Sequence, residues 1–140
     1  MTTEPTVPSS HADLLERPLF THLATVRPDG APQSSLMWFV WDGERIRMTH
    51  TRGRQKFRNL AHDPRVALSI ADPEDGYRSL ELRGVVESID PDDEQASFYQ
   101  SLQRRYGAEG EISDIPNRVV VTIRPTRFVA VTGGAVQPQS

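Results

Sequence analysis

Cysteine is absent from this 140-residue chain, which excludes disulfides, thiolate metal ligands and a cysteine nucleophile. Lysine is nearly absent as well: Lys56 stands alone among 16 basic residues. No apolar run reaches the length of a membrane-spanning helix, and the first residues lack the basic-then-apolar pattern of a signal peptide. A cytoplasmic protein with no membrane partner is therefore expected. The nucleotide signatures GxGxxG and GxxxxGK[ST] are missing, and so is the GxSxG elbow of a serine hydrolase. Histidines number four, namely His11, His22, His50 and His62, and they show no ligand spacing such as HExxH, so no metal is expected. The formal net charge of −3 argues against a nucleic-acid partner, whose electrostatic footprint is broad and positive.

What the chain does contain is a succession of short alternating segments broken by turn residues. Residues 20–26 (FTHLATV) read as a first strand and end at Pro28-Asp29-Gly30, a strong turn signal. Residues 33–41 (QSSLMWFVW) form a second strand, Asp42-Gly43 a hairpin turn, and residues 45–49 (RIRMT) a third strand. Residues 66–71 (VALSIA) follow with Val66, Leu68 and Ile70 inward. Residues 77–89 (YRSLELRGVVESI) set Leu80 and Leu82 against Glu81 and Arg83, with a bulge expected at Gly84. A helix is expected from Asp90-Pro91 to about Tyr106, acidic at its start, basic at its end and closed by Gly107. Asp90, Asp92 and Asp93 read as capping groups rather than a catalytic pair. Residues 118–123 (RVVVTI) make a sixth strand, continued past Pro125 as an edge segment.

Six strands with small helices between them predict a mainly β fold, a closed or nearly closed antiparallel barrel. One domain over residues 11–132 is expected, with disordered tails at 1–10 and 133–140. The second strand is apolar on both sides, with Leu36, Trp38 and Val40 on one face and Met37, Phe39 and Trp41 on the other. An antiparallel strand with one wet face would not be so built, which implies that a helix, a ligand or another subunit covers the second face. Trp38 and Trp41 suit a core or an interface, or a stack on a flat cofactor.

Residues 49–64 (THTRGRQKFRNLAHDP) concentrate Arg52, Arg54, Lys56 and Arg58 around the start of a short helix over 54–62. Unpaired backbone N–H groups and the helix dipole already favour an anion there, and the cations add to that. Phe57, Leu60 and Ala61 form the arc that docks on a core. A solvated basic face is the plain alternative. The polar start of the second strand (Gln33, Ser34, Ser35), running into Met37 and Trp38, can meet the edge of a planar heterocycle while the cations hold its phosphate.

Two stretches, LATVRPDGAPQSSLMWFVWDG and THTRGRQKFRNLAHDPRVALSIADPEDGYRSLELRGVVE, together with RVVVTIR at 118–124, carry a family resemblance. The chain resembles the actinobacterial F420-dependent members of the pyridoxamine-phosphate-oxidase-like split-barrel superfamily. That resemblance implies a six-stranded split β-barrel, a homodimer, and two cofactor sites at the subunit interface. It places Gln33, Ser34, Ser35, Met37 and Trp38 along the deazaflavin ring. Thr49, Thr51, Arg54, Lys56 and Asn59 fall on the phosphate side. Tyr77 and Arg78 match a segment that approaches the site from the other subunit.

Coenzyme F420 carries a phosphodiester and a poly-γ-glutamate tail, whereas FMN carries one phosphate, so four cations suit the longer polyanion. The implied function is an F420-dependent oxidoreductase that passes a hydride to a small organic acceptor. No side-chain acid or base is named, since solvent can supply the proton. An FMN-dependent split-barrel oxidase or reductase, or a non-catalytic flavin, F420 or haem binder, stays open as the alternative.

Overall fold

The computed structural model describes residues 4–133 and the backbone of residues 135–139. Its strands are β1 (Thr21–Val26), β2 (Pro32–Met37), β3 (Val40–Trp41), β4 (Ile46–Thr51), β5 (Arg65–Asp72), β6 (Asp75–Pro91), β7 (Arg118–Thr132) and β8 (Ala135–Gln139). Three helices intervene: α1 (Asp13–Glu16), α2 (Gln55–His62) and α3 (Ser97–Tyr106). The strands pair in the order β2-β1-β5-β6-β7-β4-β3, every pair antiparallel, with β8 added on β7. The two edge strands, β2 and β3, are joined in the chain by Trp38 and Phe39 alone. A sheet whose edges are two residues apart must curl on itself, and that curl makes the barrel.

The alternation read from the sequence is the alternation of burial. Leu23, Leu68, Ile70, Leu80, Leu82, Val121, Ile123 and Phe128 point into a common core, and Leu14 and Leu15 of α1 pack against it. Glu81 and Arg83 lie outside, paired with each other. Gly84 sits at a register shift between β6 and β7, opposite Pro125. A Cβ there would stand 2.7 Å from the carbonyl oxygen of Arg124 and 2.8 Å from Ile123 Cγ2, so the two long strands cross too closely for any side chain. Pro125 is tolerated at the same shift because a bulge spares one ladder hydrogen bond. β7 accordingly runs unbroken past it, between β6 on one side and β4 and β8 on the other, and is not an edge.

Four expectations are corrected. The second strand is two, because β2 pairs with β1 whereas β3 pairs with β4 at the far edge, and the break falls at Trp38-Phe39. The helix expected from Asp90 begins only at Ser97, since β6 keeps pairing through Pro91 with Val119. Asp92 then accepts the N–H groups of Phe98 and Tyr99, and Asp93 those of Gln95 and Ser97, so both carboxylates cap α3. Where a disordered end was expected over 133–140, the backbone of 135–139 pairs with β7. At the other end, residues 1–3 of the expected tail lie outside the described residues, while Val7 packs on the core and Glu4 meets Arg45 at 3.5 Å.

α3 covers part of the second face of the broken strand. Trp38 stacks on Tyr106 with ring centroids 5.0 Å apart, and Tyr99 meets Trp38 edge-on. The Tyr106 hydroxyl accepts the Phe39 N–H at 3.0 Å and donates to the Leu19 carbonyl at 2.7 Å. Leu36 is left 56% exposed, as is Phe20 at 55%.

Candidate cation-lined cleft

β4 delivers Thr49, His50 and Thr51 to the rim of the barrel, and Gly53, at φ +89°, turns the chain into α2. Arg54 keeps an extended backbone just ahead of the helix. Phe57 and Leu60 hold α2 against the barrel, but Ala61 faces solvent, and the third inward residue is Asn59. Asn59 is fully buried, donates to Thr25 Oγ1 at 3.0 Å and Gln33 Oε1 at 3.1 Å, and accepts from Gln55 at 2.8 Å. It fastens α2 to β1 and β2, which fixes where Arg54 and Lys56 point.

They point into a cleft of about 270 Å³ between β2, β4, α2, α3 and the start of β7. Met37, Trp38, Thr49, Thr51, Arg54 and Lys56 line it, and so do Phe20, Leu36, His50, Tyr99 and Arg118. Register explains Arg118: β4 pairs with β7 so that Thr51 stands opposite Arg118. Asp114 orients the pair, accepting the Thr51 hydroxyl at 2.7 Å and the Arg118 Nε–H at 2.9 Å. The Arg118 guanidinium also lies 3.9 Å from the centroid of the Tyr99 ring.

Among the described residues, Arg54 and Lys56 have no carboxylate partner. Lys56 Nζ instead donates to the Met37 thioether at 3.2 Å, a weak acceptor for an ammonium. Burial pushes its pKa down, and the nearby Arg54 and Arg118 push it further. Removing three like charges from each other's repulsion is what an arriving anion would do.

Among the described residues, two of the residues that line the cleft carry a buried polar atom without a partner: Thr49 Oγ1 and His50 Nε2. An unmade hydrogen bond of this kind costs about 1–3 kcal/mol. The Thr51 N–H donates to His50 Nδ1 at 2.9 Å, so Nδ1 is the unprotonated nitrogen and Nε2 carries the hydrogen. Burial pushes the His50 pKa down to about 3, helped by Lys56, Arg54 and Arg118. Between pH 6.5, where an unfolded histidine titrates, and that value, the unfolded chain binds the extra proton. Stability should therefore fall as pH drops through this window, by up to about 1.4 kcal/mol per pH unit. Melting curves between pH 6.5 and 5 check this: the wild-type Tm declines with acid, and His50→Gln flattens the decline. A flat wild-type curve would refute the assignment. The depressed carboxylates of Asp63 and Asp114 act lower, below their ordinary 3.8.

Several residues named from sequence lie elsewhere. Ser34 and Ser35 sit farther along β2, and Gln33 is bonded to Asn59 beneath α2. Arg58 curls back to the Gly53 carbonyl and Gln55, both at 2.8 Å, and Arg52 is exposed. Tyr77 and Arg78 open β6 and do not reach the cleft. Arg78 is held by Asp13 and Asp72, and Tyr77 is 75% exposed. Conversely, the structure adds Phe20, His50, Tyr99 and Arg118 to the cleft. No local motif marks them, and only the register of β4 on β7 could have placed Arg118.

An apolar hollow of about 370 Å³, lined by Pro18, Leu19, His22 and Ala71 among others, shares Phe20 and Leu36 with the cleft. A larger hollow of about 520 Å³ lies along β1, β5 and β6. Its two arginines are already neutralised, Arg65 by Asp63 at 2.7 Å and Arg83 by Glu81 at 3.1 Å. Unpaired charge thus singles out the smaller cleft. Among the described residues no cluster of His, Asp and Glu could hold a metal ion, and no helix is long and apolar enough to cross a membrane.

A profile of the pyridoxamine 5'-phosphate oxidase family matches residues 7–132. Among solved structures, a mycobacterial F420 reductase is 52% identical, with a TM-score of 0.84 over 87% of this chain and 98% of that one. A conserved hypothetical protein of Mycobacterium tuberculosis is 27% identical, with a TM-score of 0.70 over 94% of this chain and 89% of its own. A heme-binding protein from Mycobacterium smegmatis, 22% identical, has a TM-score of 0.69 over 95% of this chain and 58% of its own, and speaks for the fold alone. No curated protein matches.

Proposed function

We propose, from the premise that this chain belongs to the pyridoxamine 5'-phosphate oxidase family of split barrels, that it is an F420-dependent oxidoreductase. The observation that carries the reading is the convergence of Arg54, Lys56 and Arg118 on a cleft that also holds two orphaned buried polar atoms. The donor set suits an acidic, phosphorylated ligand, and the adjoining apolar hollow suits a flat ring. The 52% identity to an F420 reductase favours the deazaflavin over FMN. Three cations exceed what one phosphate monoester needs and fit a phosphodiester followed by a carboxylate tail.

Reduced F420, when bound, supplies a hydride from ring carbon 5 to a small organic acceptor. The chain's own part is binding and orientation. Arg54 and Lys56 hold the acidic end, Arg118 is aimed by Asp114, and Trp38, braced by Tyr106, walls the cleft. None of the lining groups stands out as an acid or base, and water can deliver the proton.

The partner is a second copy of this chain. The outer face of β2, β1 and β5 presents Ser34, Leu36, His22, Ala24, Ala67 and Ser69 in adjacent register, with Arg65, already paired with Asp63, at the end of β5. Its exposed Leu36 and Phe20 border the cleft, so a copy seated there would close the site. Tyr77 and Arg78 would join the site from that copy. Sedimentation at micromolar concentration should give twice the chain mass, and a monomer would sink this part.

Titration of the apo-protein with F420 and with FMN, followed by hydride transfer to enones and quinones, tests the whole. F420 should bind at least tenfold tighter and support turnover. Preference for FMN would move the assignment to a flavin enzyme, and tight F420 binding without turnover to a carrier.

A further inference from the structure

We propose that His50 is an orientation-setting donor of the cleft: an imidazole whose Nε2–H is offered to a phosphate oxygen of the ligand. The inference rests on the reading that the cleft takes a phosphorylated cofactor. It adds a residue that belongs to no cation motif.

His50 is 3% exposed and Thr49 9%, and neither His50 Nε2 nor Thr49 Oγ1 has a partner. The ring is pinned by the Thr51 N–H on Nδ1, which leaves Nε2 as a donor. The charged groups acting on His50 are Lys56, Arg54 and Arg118. Ammonium and guanidinium groups carry donors and no acceptor, so none of these neighbours can ever satisfy the Nε2–H. Asp114 is spent on Thr51 and Arg118. An acceptor must come from outside, and the three cations select it as an anion. Burial and the positive neighbours keep the ring neutral, so it adds direction rather than charge. Cations attract an anion from any angle, whereas an N–H bond fails below about 120°. His50 thereby distinguishes a correctly seated phosphate from one merely held nearby.

The experiment has two arms on the intact protein. In the first, the His50 side-chain ¹⁵N signals are followed during titration with inorganic phosphate. Wild type should show a protonated Nε2 from pH 8 to 5, and that signal should move on addition of phosphate. A proton on Nδ1, or a signal that phosphate leaves in place, overturns the proposal. In the second arm, His50→Phe and His50→Gln are titrated with F420 and with the ribityl deazaflavin that lacks the phosphate. His50→Phe should lose at least tenfold for F420 and less than twofold for the phosphate-free compound. His50→Gln, which keeps a donor near the Nε2 position, should recover to within threefold of wild type. Equal losses for both ligands would mean a packing role and overturn the proposal, as would no loss for either. If wild type ignores F420 but phosphate moves the His50 signal, the cofactor assignment fails and the donor role of His50 stands.

Discussion

Replacing Arg54 and Lys56 together by alanine should weaken F420 binding by more than tenfold while leaving the fold intact. Each charge-assisted hydrogen bond to a phosphate contributes about 1.5–3 kcal/mol, and about 1.4 kcal/mol is tenfold in affinity, so even one lost contact meets that mark. The fold should not suffer, because Arg54 is exposed ahead of α2 and the Lys56 ammonium, among the described residues, bonds only the weak acceptor Met37 sulfur. Removing both also relieves their repulsion with Arg118. Wild-type affinity should fall as salt rises, since the cleft is open to screening, and the double variant should show a shallower salt slope. Arg58→Ala is the control: its guanidinium is turned to the Gly53 carbonyl and Gln55, so its effect should stay below threefold. Fluorescence titration of the deazaflavin with melting curves alongside decides it. Unchanged affinity in the double variant would remove the anion site from the cleft.

Phe39→Ala should cause the largest loss of stability of any change considered. Phe39 is 0% exposed and lies in the two-residue link between the sheet's edge strands. Its ring fills the core, its N–H is held by Tyr106, and its carbonyl accepts from Arg105 at 3.1 Å. Truncating a buried phenylalanine costs about 3–5 kcal/mol, which for a chain of this size lowers Tm by on the order of 10–20 °C. Tyr106→Phe offers the comparison. It removes one hydroxyl and orphans the Phe39 N–H, a cost of about 1–3 kcal/mol, while leaving the core filled. Should the alanine variant melt no lower than the Tyr106 variant, the link would not be what holds the barrel closed.

The two results probe different levels of the same design. The link at Trp38-Phe39 closes the barrel, and that closure brings β2 beside α2. Asn59 then locks α2 so that its first turn overlooks β4. Loosening the link should therefore weaken ligand binding indirectly, whereas removing the cations should leave the barrel's melting untouched. Measuring both quantities on both variants separates positioning from contact.

Local physics made much of this legible before any coordinates. The period-two burial of Val66, Leu68 and Ile70, the helix stop at Gly107 and the start of α2 near Arg54 depend on near neighbours alone. Side-chain alternation and backbone sterics act over a few residues, so a sequence displays them directly. Tertiary structure decided which cations face the ligand. Arg118 joined Arg54 and Lys56 because β4 pairs with β7, whereas Arg58, equally basic and nearer in sequence, turned away. It also broke the second strand, left Tyr77 and Arg78 at the far hairpin, and stranded His50 among donors. Apart from the local turn of Arg58, those outcomes rest on contacts between segments tens of residues apart, where strand register and the competition for hydrogen-bond acceptors, not residue type, choose the partner.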